Sequence, residues 1–137
     1  MHVLITGATG GIGQGICDAI CEAYPATYPD LKLTVTSSQE GPRLHALVDR
    51  LRTSGLKVQG LSGDVTVPSA CEQLVKNAIR LQGDIDALVC VAGASGPGKL
   101  ESLPIEQWDL TFQLNVRSVW LMAKAAFESL KKTQGSV

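Results

Sequence analysis

The chain has 137 residues, of which 45% are hydrophobic and 18% charged. That length suits one domain, and that balance supplies a core and excludes a disordered chain. Twelve Lys plus Arg against 13 Asp plus Glu leave a net charge of −1, which asks for neither nucleic acid nor an anionic membrane as partner.

No apolar run approaches the roughly 18 residues of a membrane span. The opening "MHVLITGATGGIG" lacks the basic start and the longer apolar run of a secretory signal. Cys17, Cys21, Cys71 and Cys90 form no CxxC pair, and the spacing of Cys17 and Cys21 stacks them on one helix face as packing. Four reduced, mostly buried thiols are expected, and with them a cytoplasmic location.

"HVLIT" is a continuous apolar run and predicts a strand buried on both faces. "GATGGIGQGICDAICEAY" follows, with Ile12, Ile16 and Ile20 recurring every four residues as a helix face. The prolines of "PATYPD" break that helix. "LKLTVT" is a second strand, and "PRLHALVDRLRTSG" a helix with Leu44, Leu47, Val48 and Leu51 on one side and Gly55 as its stop. "KVQGLSGDV" holds a third strand, and Pro68 opens the helix "PSACEQLVKNAIRLQG". "IDALVCVAG" is a fourth strand, and "ASGPGK" a loop of the kind that borders binding sites. One long helix is expected from about Pro104 to Lys132, ended by Gly135, with "SV" starting a fifth strand.

Strand and helix thus alternate four times. The reading is α/β, a Rossmann-type doubly wound parallel sheet of order 3-2-1-4 formed by a single domain over residues 1–137, lacking strands five onward. The long helix carries Trp108, Leu110, Leu114, Val119, Trp120, Met122, Ala126, Phe127 and Leu130, too many apolar positions for one sheet face, so burial on more than one side is expected. Alone, the chain leaves apolar surface and an edge of strand four uncovered.

The turn "TGATGGIG" lies between the first strand and the first helix. A turn placed there aims helix N–H groups and the positive end of the dipole at a ligand, and its glycines let a pyrophosphate approach the backbone. The alternative is a tight glycine turn without a ligand. Gly15, inside the helix, costs about 1 kcal/mol relative to Ala, so close packing or close ligand approach is expected there. No Gly-Lys-Ser/Thr follows, which excludes a Walker-type loop.

At these residues the chain resembles the short-chain dehydrogenase/reductase family, along its whole length. Thr6, Gly7, Gly11, Ile12 and Gly13 look like the family's cofactor turn. Gly10 also fits the extended, sugar-nucleotide branch, but "DALVCVAGASGPG" and "WDLTFQLNV" are similar to the single-domain branch. The resemblance implies that Asp64 and Val65 meet the adenine, a carboxylate accepting from the amino group and a backbone N–H reaching a ring nitrogen. The alternative is that Asp64 only caps a turn before Pro68. Ala92 and Gly93 match the end of the strand-four motif and let the ribose approach. Cys90 and Val91 replace the two asparagines that usually precede them, which puts the hydrogen bonding of the strand ends in question.

An NAD site usually needs a carboxylate after strand two. Thr36, Ser37 and Ser38 stand there, with no acid before Glu40, and Arg43 offers a cation unless it is merely a solvated helix residue. NADP is therefore favoured over NAD.

Family chemistry uses a Tyr acid/base, a Lys that lowers its pKa, a Ser that orients the carbonyl, and an Asn. Asn115 matches the Asn and, flanked by Leu114 and Val116, is read as buried and in need of partners. Tyr28 and Lys32 have the Tyr-x-x-x-Lys spacing but not the place: Pro29 denies them a helix, and they lie at the wrong end of strand two. His2 and His45 make no substitute, and no His/Cys cluster suggests a metal. By the resemblance, the Ser, Tyr and Lys follow strand five, beyond Val137.

The expected function is that of an NAD(P)-dependent oxidoreductase acting on a carbonyl or alcohol, with this chain binding the cofactor but inactive alone. The resemblance also implies a homo-oligomer through the long helix. A non-enzymatic NADP-binding sensor or partner subunit is the alternative. A receiver or flavodoxin-like domain fits poorly, since the first strand ends in Thr-Gly rather than in an acidic pocket.

Overall fold

The structure, a computed structural model, describes residues 1–23, 27–96 and 98–137. The helix break expected at Pro25, and Pro97 of the "ASGPGK" loop, lie outside the described residues. Four strands, β1 (His2–Thr6), β2 (Lys32–Ser37), β3 (Lys57–Ser62) and β4 (Ala87–Cys90), form one parallel sheet of order β3-β2-β1-β4. This is the predicted topology. Its register runs Val3 opposite Leu33 and Ala87, and Ile5 opposite Val35 and Val89.

The sheet is covered on both faces. Helices α1 (Gly11–Ala23) and α2 (Pro42–Arg52) close one side over Val3, Ile5, Leu33, Val35 and Val58. Helix α3 (Pro68–Gln82) and the C-terminal helix close the other over Leu4 and Leu88. Leu4, Ile5 and Leu33 are fully buried, and each contributes about 1.5–3 kcal/mol by leaving water.

The C-terminal helix departs from the expectation of one regular helix over 104–132. It runs as α4 (Ile105–Phe112), a π turn (Gln113–Arg117) and α5 (Ser118–Thr133). A single π turn inside an α-helix commonly sits at a functional site, and this one carries Asn115. Sequence periodicity cannot reveal it, because one extra residue per turn leaves the apolar pattern on either side intact.

Its left-handed C-terminal residue is Gln134, at φ 55°, rather than Gly135. The amide of Gly135 donates to the Leu130 carbonyl at 2.8 Å, and a Cβ on Gly135 would collide with the Asp86 carbonyl. Ser136 then bonds β4 in parallel, donating to Asp86 O and accepting from Leu88 N–H, at 3.1 and 3.0 Å.

Two packing expectations also change. In α1 the buried positions are Gly13 and Cys17, with Ile16 and Ile20 flanking them and Ile12 75% exposed. Gly13 sits against the Gly7–Ala8 turn, where a Cβ would lie 2.7 Å from Ala8 Cα, and Cys17 follows it into the core. Gly15 meets nothing within 4 Å, so packing within the chain does not explain it. In the C-terminal helix Leu121, Met122, Ala126 and Leu130 are buried, while Trp108, Leu110, Phe112, Val116, Trp120 and Phe127 are exposed. Only one side is therefore buried in this chain. The exposed rings find each other, with Trp108 and Phe112 stacked at 4.6 Å and Lys124 5.0 Å above Trp120.

The N-terminal ends of the strands hold a buried polar chain. Gln82 Nε2 donates to Thr34 Oγ1 at 3.0 Å, Thr34 Oγ1 lies 2.9 Å from His2 Nε2, and His2 Nδ1 lies 2.9 Å from the Gly83 carbonyl. A carbonyl only accepts, so Nδ1 carries the proton and Nε2 accepts from Thr34, a neutral imidazole with both nitrogens satisfied. Burial pulls the His2 pKa below 6.5, more than the Gly83 and Asp84 backbone contacts raise it.

A histidine held neutral in the fold lets the unfolded chain bind the extra proton. Stability is therefore full above about pH 6.5 and falls as pH drops below it, with a slope of at most about 1.4 kcal/mol per pH unit from this one group. Urea midpoints at pH 7.5 and 5.5 should show that loss in the native chain and a flatter profile in His2→Gln. Equal slopes in the two would remove His2 as the cause.

Candidate functional site

The C-terminal ends of β1, β2 and β4 open into a cleft of about 370 Å³. Gly7, Gly10, Gly11, Ile12 and Gly13 form its floor, Thr36, Ser37 and Ser38 one side, Gly63, Asp64 and Val65 another, and Val91, Ala92, Gly93 and Leu114 the far wall. Open parallel sheets bind ligands at this end, where strand order reverses between β1 and β4.

The floor is built by close backbone approach. Gly7 has φ +65°, and a Cβ there would sit 2.6 Å from the Ala92 backbone. A Cβ on Gly13 would collide with the Gly7 carbonyl and lie 2.7 Å from Ala8 Cα. These contacts lock turn, helix and β4 together. Gly11 lines the cleft, and a Cβ there would meet nothing within 4 Å among the described residues. The first-turn N–H groups of α1 have no intrahelical partners and belong to this floor, so they and the dipole favour an anion there.

Thr6 is placed differently from the expectation of ligand contact. It is 1% exposed and does not line the cleft. Its Oγ1 accepts from the N–H groups of Val91 and Ala92 at 3.2 and 3.3 Å. Thr6 thereby steadies the end of β4, where two asparagines are absent from the usual motif. Polar residues at the end of β1 were the signal for this role.

Thr36 Oγ1 is buried and is the orphaned side-chain polar atom among the described residues. Ser37 Oγ donates to the Gln39 carbonyl, and Ser38 is exposed at the rim. Arg43 lies outside the main cleft, in an adjoining hollow with Thr9, Ser37, Ser38 and Glu40. It makes no ion pair among the described residues, while Glu40 pairs with His45 at 3.3 Å.

Asp64 does cap a turn: Oδ1 accepts from the Thr66 N–H and hydroxyl, at 2.9 and 2.7 Å. It also lines the cleft, and the turn leaves Oδ2 for an outside donor. Val65 is buried under it, its carbonyl accepting from Cys71 Sγ at 3.2 Å.

Asn115 is exposed rather than buried. Its Nδ2 donates to Ala94 O and Thr111 O at 2.7 and 2.8 Å. Its Oδ1 lies where a Cβ on Gly93 would come within 2.5 Å, so Gly93 is required for that approach. The π turn brings Asn115 to the β4 exit, beside a second hollow lined by Ile12, Ser95 and Thr111.

Tyr28 and Lys32 are remote from all of this, the Lys32 ammonium donating to Gln82 O at 2.8 Å at the opposite end of the sheet. The thiols are free. Burial, with Cys21 and Asp18 nearby, pushes Cys17 up to about 11, and burial also raises Cys21, Cys71 and Cys90, so none is activated as a nucleophile. No helix among the described residues is long and apolar enough to cross a membrane.

Fold and cleft define a nucleotide-binding domain of the Rossmann type. Residues 1–137 match the family model described as short chain dehydrogenase. A dehydrogenase/reductase SDR family member 4 from Pongo abelii is 34% identical over 134 residues, 96% of this chain and 45% of that protein. The alcohol dehydrogenase of the archaeon Thermococcus sibiricus, complexed with 5-hydroxy-NADP, matches with a TM-score of 0.87 and 28% identity, over 98% of this chain and 55% of that one. The NADH-dependent reductase A1-R′, complexed with NAD, matches with a TM-score of 0.83 and 27% identity, over 96% and 53%. The chain belongs to the short-chain dehydrogenase/reductase family, and it spans about half the length of the relatives it matches.

Proposed function

We propose that the chain binds a nicotinamide dinucleotide, NADP in preference to NAD, as the cofactor-binding part of an oxidoreductase acting on a carbonyl or alcohol. The observation that carries this reading is the cleft over the α1 N-terminus, with Gly11 leaving open the space a side chain would fill. The first-turn amides at Gly11, Ile12 and Gly13 hold the pyrophosphate. Asp64 Oδ2 accepts from the adenine amino group and the Val65 N–H meets a ring nitrogen. Ala92 and Gly93 admit the ribose.

Ser37, Ser38 and Arg43 border the hollow that takes a 2′-phosphate; Glu40 also lines it, with Oε1 3.3 Å from His45 Nε2, and no acid stands directly after β2 where an NAD site has its ribose carboxylate. Both cofactor types occur among the structural relatives, so the preference rests on these side chains. When bound, the nicotinamide supplies or accepts the hydride. Asn115 steadies the β4 exit beside it and is the member of the family's catalytic set within these residues. No Tyr or Lys lines this cleft among the described residues, and on this reading these 137 residues bind the cofactor without turning over. The exposed aromatic face of α4 and α5 is the surface for a second copy, and the free thiols suit a reducing cytoplasm.

Calorimetric titration with NADPH and NADH tests this. Saturable binding, tighter for NADPH, is expected, with no carbonyl reduction. Absence of binding to both overturns the cofactor reading, tighter NADH binding overturns the preference, and steady reduction of a carbonyl overturns the inactivity. Binding without turnover in the complete protein favours the sensor or partner-subunit alternative.

A further inference from the structure

The π turn contacts two separate loops at the mouth of the cleft. Asn115 Nδ2 holds the Ala94 carbonyl after β4 at 2.7 Å, and Arg117 Nη1 donates to the Thr66 carbonyl after β3 at 3.2 Å. Ala94 follows the wall at Ala92 and Gly93, and Thr66 closes the turn that presents Asp64 and Val65.

We propose that Arg117 is a positioning residue for the adenine-side wall, and that the π turn sets the spacing of the two walls through Asn115 and Arg117. This rests on the cofactor reading above. The 63–67 turn has other ties: Gly63 N–H to Ser37 O at 3.0 Å, Val67 N–H to Asp64 O at 3.1 Å, the Ala70 and Cys71 N–H groups to Val67 O at 3.1 Å each, and Cys71 Sγ to Val65 O at 3.2 Å. Those join it to β2, to itself or to α3. Arg117 is the hydrogen bond among the described residues that joins it to the helix bearing Asn115. Arg117 meets the turn at a carbonyl, and no ion pair forms with the Asp64 carboxylate among the described residues. It fixes the turn without consuming the acceptor that the adenine needs. Its guanidinium offers several donors in a fixed plane, which suits an exposed carbonyl on a turn that must hold one orientation.

The test uses Arg117→Met, which keeps the apolar stem and removes the donors, and Arg117→Lys, which keeps a donor. Each is titrated with NADPH, with ADP-ribose and with reduced nicotinamide mononucleotide, and amide hydrogen exchange of residues 64–67 is followed without ligand. Arg117→Met should lose about fivefold in affinity for NADPH and ADP-ribose, keep its affinity for the mononucleotide, and exchange faster at 64–67. Arg117→Lys should recover at least half of the loss. Unchanged affinities, an equal loss on the mononucleotide, or unchanged exchange would each overturn the assignment. A native chain that binds none of the three overturns the cofactor reading instead, and the exchange comparison still decides whether Arg117 holds the turn.

Discussion

Gly13→Ala is expected to lower stability by on the order of 3 kcal/mol, measured as a urea midpoint without ligand. The added methyl would overlap the Gly7 carbonyl and lie 2.7 and 3.0 Å from Ala8 Cα and C. All are backbone atoms, so no rotamer change relieves the clash, and α1 must move away from the Gly7–Ala8 turn. Gly7→Ala should do comparable damage from the other side. It combines an added methyl 2.6 Å from the Ala92 backbone with a φ of +65° that alanine rarely adopts. A loss under about 1 kcal/mol for Gly13→Ala would mean that the turn has slack, and the close-approach account would fail.

Gly11→Val separates binding from folding. Nothing lies within 4 Å of a Cβ at this position, so stability should stay within about 1 kcal/mol of the native chain. Gly11 lines the cleft proposed for the pyrophosphate, so added bulk there should lower NADPH affinity at least about tenfold. Unchanged affinity in a folded variant would move the ligand off this floor. Together the glycines of one turn predict opposite phenotypes: Gly7 and Gly13 hold the chain to itself, whereas Gly11 leaves room for something else.

That division was only partly legible beforehand. The spacing of Gly7, Gly11 and Gly13 after a buried strand pointed to a dinucleotide cleft, because strand, turn and helix are local and their periodicity is written in consecutive residues. Which glycine touches backbone and which does not depends on how near α1 lies to the Gly7–Ala8 turn and that turn to Ala92, and no local pattern encodes those distances. Ile12 shows the same limit. Four-residue spacing points it to the core face, yet the core line is Gly13 and Cys17, since Gly13 lies against turn backbone that admits no side chain. Thr6 reads in the sequence as part of the cofactor turn, and in the fold it holds Val91 and Ala92, a contact 85 residues away in sequence for Val91.

The sequence by itself determined the strand–helix alternation, the parallel order β3-β2-β1-β4 and the place of the cleft at the strand ends. Apolar runs and glycine stops set the elements, and the right-handed crossover rule leaves few ways to join them. The tertiary structure decided the rest. A π turn interrupts what reads as one helix, exposes Asn115 toward Ala94, and sends Arg117 to Thr66. Asp64 divides its carboxylate between its own turn and the cleft. The physical reason is that each of these rests on hydrogen bonds whose partners meet only when distant loops are brought together, and residue spacing carries no record of them.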